Sequence, residues 1–295
     1  MQTPEHGPIE TSLAEAHELE APLVETHGSE TPTAEMTPPP AASLAVAPAW
    51  HTVVLVVFIL GMSLHGASRF SVPHDSINRL ATYGLTAVSE LILLGWVLFG
   101  LRLRRTPLRS LLGGFSFSAR AVAVDLGVAL LFWISALSVL GTIGIAWSGV
   151  EAAITHRSLP THSAQSLTGD PSQQQAVRAL SQLAPSNGQE IAAWVLLCLL
   201  VGFIEETVFR GYLQRQFIGW ARGGVGAGVV LSALVFGGAH AYQGVRNMVL
   251  LGLFGALFGV LALYRRSLRA GMFAHSWQDI IAGLGLALLK SHHLI

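Results

Sequence analysis

Cysteine and charge are what this chain has least of. Its one cysteine, Cys198, sits in an apolar run, which excludes a disulfide framework and a multi-thiolate metal centre. Charged residues make up 12% of the 295 and apolar residues 52%. Soluble globular domains rarely show that balance, and it points to a polytopic membrane protein. Basic residues are missing from the start of the chain, where Glu5, Glu10, Glu15, Glu18, Glu20, Glu25, Glu30 and Glu35 precede any Lys or Arg. A formal net charge of zero therefore divides into an acidic beginning and a basic remainder. That basicity needs no nucleic acid, because Arg concentrates in the loops of membrane proteins that stay cytoplasmic. No secretory signal peptide is expected from these residues: the first of them have no basic n-region, and the first apolar run begins only near residue 52.

What is present falls into four parts. Residues 1–42 repeat a pentad ending in Glu and close on Pro38, Pro39 and Pro40, which predicts a disordered acidic tail with too little apolar surface to offset chain entropy. Its histidines His6, His17 and His27 read as solvated. From Trp50 onward, stretches long enough to span a bilayer, roughly 17–25 residues, recur at 44–65, 80–101, 121–149, 190–206, 224–241, 247–264 and 272–289. The expected fold is an all-α, polytopic transmembrane helical bundle of about seven spans, with six to eight compatible with the pattern. Residues 44–149 form a front block of three spans, 150–189 a polar loop with Pro160, Pro171 and Pro185, and 190–290 a back block. Arg102, Arg104, Arg105 and Arg109 follow the second span and Arg265, Arg266 and Arg269 the sixth, so both loops and the tail are expected on the cytoplasmic side of a cytoplasmic membrane. Gly252, Gly255 and Gly259 read as helix-packing positions.

Ionisable residues inside such runs are functional hypotheses by default, because an unpaired charge at membrane depth costs several kcal/mol. The back block holds three groups of them: Glu205 and Glu206 with Arg210, Phe236 with His240, and His275 with Asp279. Glu206 and Arg210 are four apart and share a helix face, while Glu205 is rotated about 100° away. One carboxylate is neutralised and the other is left free, suited to take a proton from water in a partly wet pocket. His240 ends a run whose other polar side chain is Ser232. It suits a metal ligand, an oxyanion donor or a hydrogen-bonded structural histidine. His275 and Asp279 share a face, either as two metal ligands or as a ligand with the group that orients it. A helix-anchoring role for the glutamates and a capping role for the His275–Asp279 pair are the plainer alternatives.

The order and spacing of the three groups, EExxxR then FxxxH then HxxxD, resemble the CPBP family of intramembrane proteases, which includes the type II CAAX prenyl endopeptidases and bacterial Abi proteins. The resemblance covers about 190–290. It implies peptide-bond hydrolysis within a membrane, acting on a membrane protein or peptide. By the same resemblance Glu205 activates water, Glu206 and Arg210 shape its surroundings, and His240 and His275 bind a metal or hold the oxyanion. Asp279 takes a position that is often Asn in the family. An ionised Asp cannot donate to an oxyanion, so here it ligates a cation or donates only when protonated. A divalent cation, zinc by donor type, would be held by Glu205, His240, His275 and Asp279; a metal-free glutamate mechanism uses the same residues.

Weaker candidates are Glu90 in the second span, open to pairing with Arg79, and Asp125 with Arg120, which mark the start of the third span. Two further functions are a non-catalytic scaffold or bacteriocin-immunity-type protein on the same fold, and a small transporter, for which no inverted repeat is evident. The depth of His240 conflicts with a simple reading. If Glu205 ends the fourth span and His240 ends the fifth, the two are separated by much of the bilayer.

Overall fold

In the computed structural model, residues 45–70, 78–114, 117–155, 177 and 180–292 are described. The pentad tail at 1–42 and most of the 150–189 loop lie outside them. Among the described residues the chain is helical and contains no strand. In chain order it forms α1 (Ala49–Phe70), α2 (Arg79–Leu103), α3 (Leu108–Leu112) and α4 (Ala119–Thr155). It continues with α5 (Gly188–Glu205), a π-helical segment (Glu206–Leu213), α6 (Gln214–Trp220), α7 (Val225–Ala239), α8 (Val245–Arg265) and α9 (Arg269–Ser291). Local chemistry sets several starts. The Asn78 side chain accepts Ala81 N at 3.0 Å to open α2, and the Asn187 side chain accepts Glu190 N at 3.0 Å to open α5. Glu190 lies in the first turn of α5, where a negative charge favours the helix dipole, and reaches back to Ser186 N at 2.8 Å.

Among the described residues, six stretches are long and apolar enough to cross a membrane: Ala49–Gly66, Arg79–Leu103, Ala119–Ile154, Gly188–Trp220, Val245–Arg265 and Arg269–Ser291. Large apolar side chains such as Leu85, Leu131 and Ile145 are exposed along them. A surface of that kind suits lipid and not water. The protein is a polytopic helical membrane bundle.

The span boundaries differ from the sequence reading in three places. The stretch 190–206 is only the first half of one helix that continues without a break through the π segment to Trp220, about 50 Å at 1.5 Å per residue. The stretch 224–241 is the 15-residue α7, about 22 Å long and too short to cross a hydrocarbon core of roughly 30 Å. And α4 runs to Thr155, taking in the beginning of the expected polar loop.

Front and back helices form one bundle: α5 packs between α2 and α9, α4 packs on α8 and α9, and α1 packs on α7. The two arginine-rich loops are neighbours, with Leu268 N donating to Leu112 O at 3.0 Å. The chain enters α1 at that same face, where Gln216 Oε1 accepts Val46 N at 2.9 Å and Ala47 N at 3.0 Å, and Gln216 Nε2 donates to Ala47 O at 2.8 Å. Helix α7 lies along α8, and Gly252 and Gly255 let Gly237 and the Phe236 ring approach α8 closely.

Candidate active site

The site is built on the π segment, whose eight residues are all buried. A π turn re-routes backbone hydrogen bonds and often marks a functional position. Here the Phe209 carbonyl accepts Ser232 Oγ of α7 at 2.7 Å, and the Tyr212 hydroxyl lies 2.8 Å from both His51 Nδ1 and Thr52 Oγ1 of α1. The segment is thus tied from two sides, and Glu205 and Glu206 sit where it begins.

Glu206 and Arg210 pair as their spacing predicts, with Nη1 donating to Oε1 at 2.8 Å, and both side chains are only 1% exposed. Arg210 Nη2 also donates to Gly255 O at 3.3 Å, and the guanidinium carbon stands 4.3 Å from the centre of the Phe236 ring and 5.0 Å from that of Phe258. Phe236 therefore packs on the cation as well as on His240.

Helix α9 enters through a close approach. A Cβ at Gly271 would stand 3.1 Å from Glu206 Oε2, so a glycine there lets His275 reach the glutamates. His275 Nδ1 lies 3.0 Å from Glu206 Oε1, while Nε2 lies 3.6 Å from both Glu205 Oε2 and Asp279 Oδ2. A carboxylate oxygen that already receives Arg210 can only accept, so Nδ1 carries the proton and Nε2 is turned to Glu205 and Asp279. Of the two readings of the pair on α9, the orienting contact to His275 belongs to Glu206, and Asp279 stands beside the same Nε2 as Glu205. Glu205, rotated about 100° from Glu206 along the helix, faces the opposite nitrogen of the same imidazole and stays free of a hydrogen bond at Oε2.

A 3.6 Å separation exceeds a hydrogen bond and suits two groups that share a water or a cation. Ligands 2.0–2.2 Å from a tetrahedral zinc lie about 3.4 Å from one another, so His275 Nε2 with either carboxylate matches such a pair. Glu205 Oε2 is buried and has no hydrogen-bond partner. Among the described residues, however, no three His, Cys, Asp or Glu side chains converge as a closed metal cluster. Exposure grades outward from Glu206 at 1% through Glu205 at 16% to Asp279 at 34%, which places Asp279 at the opening.

His240 ends α7, its Nδ1 donating to Phe236 O at 2.8 Å. The neutral ring so held keeps its lone pair on Nε2, as a metal ligand does; to donate to an oxyanion from Nε2 it must first be protonated. Among the described residues no hydrogen bond or ion pair joins His240 to Glu205, His275 or Asp279. Their link is Phe236, with ring centres 4.7 Å from His240 and 6.2 Å from His275. The depth conflict is resolved by the long helix: Glu205 stands as far before Trp220 as His240 stands after Val225, so the descent of α7 returns His240 to the level of the glutamates.

Glu90 and Asp125, the weaker candidates, have surroundings that the sequence did not convey, and Gln278 was not singled out by it. Glu90 is buried on α2, close enough to Glu205, His275 and Asp279 for their charges to act on it, and its Oε2 has no partner. Arg79 pairs not with Glu90 but with Glu190, at 3.4 Å. Asp125 is a buried junction that receives Arg265 Nη2 at 2.6 Å and also Arg269. Gln278, inside the third motif, accepts Trp133 Nε1 at 2.5 Å and braces α9 on α4.

No curated protein and no solved structure matches the chain. Residues 187–281, the stretch that carries all three motifs, do match the family model described as type II CAAX prenyl endopeptidase Rce1-like, which bears out the family resemblance read from those motifs.

Proposed function

We propose that the protein is an intramembrane endopeptidase that hydrolyses a peptide bond of a membrane-associated protein or peptide with water activated by Glu205. The observation that carries this reading is the buried, unpartnered Glu205 Oε2 beside His275 Nε2, in the interior of a membrane bundle. Glu205 takes a proton from water as the water oxygen bonds to the scissile carbonyl carbon. When the tetrahedral adduct collapses and the C–N bond breaks, Glu205 returns that proton to the departing amine. Glu206 holds the tautomer and direction of His275 and is itself held by Arg210, an arrangement that keeps the site in one geometry through the cycle. Donor chemistry suits a divalent cation, zinc by type, and the separations give ligand pairs of His275 Nε2 with Glu205 or with Asp279; such a cation, when bound, would lower the pKa of water and polarise the carbonyl. His240 joins either the cation or the oxyanion from the end of α7.

The test is a comparison of membrane proteomes from cells that express the wild type or Glu205→Gln at equal levels. The proposal expects protein fragments present only with the wild type. Identical fragment sets at matched expression overturn it and favour a non-catalytic scaffold.

A further inference from the structure

Away from the Glu205 site, at the arginine-bearing face, α4 begins beside the turn that joins α8 to α9. A cleft of about 380 Å³ opens there, lined by Ser118, Arg120, Asp125, Arg265, Ser267 and Arg269 among others. Asp125 is buried and receives Arg265 on one carboxylate oxygen and Arg269 on the other. Three guanidiniums therefore stand against one carboxylate. Of the other described carboxylates, Glu206 comes near the first turn of α9 at Gly271 but is paired with Arg210, and Glu90, Glu151, Glu190, Glu205 and Asp279 lie further along their helices, so Asp125 is the carboxylate that meets Arg265 at this cleft. Arg120 is exposed, Arg265 is 28% exposed, and the buried Nε of Arg265 has no hydrogen-bond partner.

The surroundings select among anions. Three membrane-crossing helices end at this cleft, which sets it at the boundary between hydrocarbon and water. Val124, 47% exposed, lines it, and the exposed Phe117 lies beside it, so apolar surface adjoins the guanidiniums. A phosphodiester carrying acyl chains satisfies both at once, and guanidinium is the side chain best matched to phosphate. The positive excess also disfavours a headgroup that brings its own cation. We propose that this cleft binds the phosphate of an anionic phospholipid, with Arg120 and Arg265 as its principal ligands and Asp125 holding Arg265 and Arg269 in place. The inference is independent of the peptidase reading.

The experiment titrates the full chain, purified in an uncharged detergent, with phosphatidylglycerol or phosphatidylcholine in mixed micelles and follows the melting temperature. Phosphatidylglycerol is expected to raise it and phosphatidylcholine to leave it unchanged. Arg120→Gln, and separately Arg265→Gln, should each need about tenfold more phosphatidylglycerol for half the effect, the loss of roughly one charge-assisted hydrogen bond. Equal responses to the two lipids, or variants that titrate like the wild type, overturn the site. A third arm uses glycerol 3-phosphate without lipid. No shift is expected, and a shift equal to that of phosphatidylglycerol overturns the lipid assignment in favour of a soluble phosphate ester.

Discussion

His275 presents its two nitrogens to different carboxylates, and the distances separate their tasks. Glu206 gives its Oε1 to both His275 Nδ1, at 3.0 Å, and Arg210, at 2.8 Å, while its Oε2 is buried against Gly271 without a hydrogen-bond partner. Glu205 and Asp279, each 3.6 Å from Nε2, have capacity left for a water or a cation. Asp279 is therefore expected to serve through its charge. Asp279→Asn should lower divalent metal retained by the purified protein, with affinity down tenfold or more, read by elemental analysis. Full activity in that variant together with a metal-free wild type would instead make Asp279 an oxyanion donor.

At the scale of elements, the active arrangement depends on where α9 meets its neighbours. Its first turn is fastened to α4 by the Asp125 junction and meets the π segment at Gly271, its second carries His275 to the glutamates, and Gln278 meets Trp133 further along. Asp125→Asn leaves two guanidiniums, one of them buried, without their carboxylate, so stability in detergent should fall by roughly 3 kcal/mol. A melting temperature equal to that of the wild type would show the junction to be incidental. These joints mark what the sequence could and could not convey. Glu206 and Arg210 were legible because four residues on one helix settle their contact, and the apolar runs were legible because lipid requires long ones. The partners of Asp125 were not, since both lie more than a hundred residues away. The π segment was not legible either: a backbone that changes its hydrogen-bond register leaves the same apolar pattern, so 190–206 read as a whole span and His240 fell at the wrong depth. The partner of His275 Nδ1 was hidden for both reasons.

For the molecule as a whole, charge and depth are arranged consistently. The arginine loops and the entry to α1 share one face, and Glu205, Glu206 and His275 gather within the bundle, with Asp279 one-third exposed beside them. The central claim is that two adjacent glutamates in this setting do different work. It is tested by measuring cleavage of a membrane peptide and the melting temperature together for Glu205→Gln and Glu206→Gln. Removing the base should cost about 10²–10⁴-fold in rate with the melting temperature unchanged. Removing the partner of the buried Arg210 should lower both rate and melting temperature. Near wild-type cleavage by Glu205→Gln, or a fully stable but inactive Glu206→Gln, would contradict the account and move the base to Glu206.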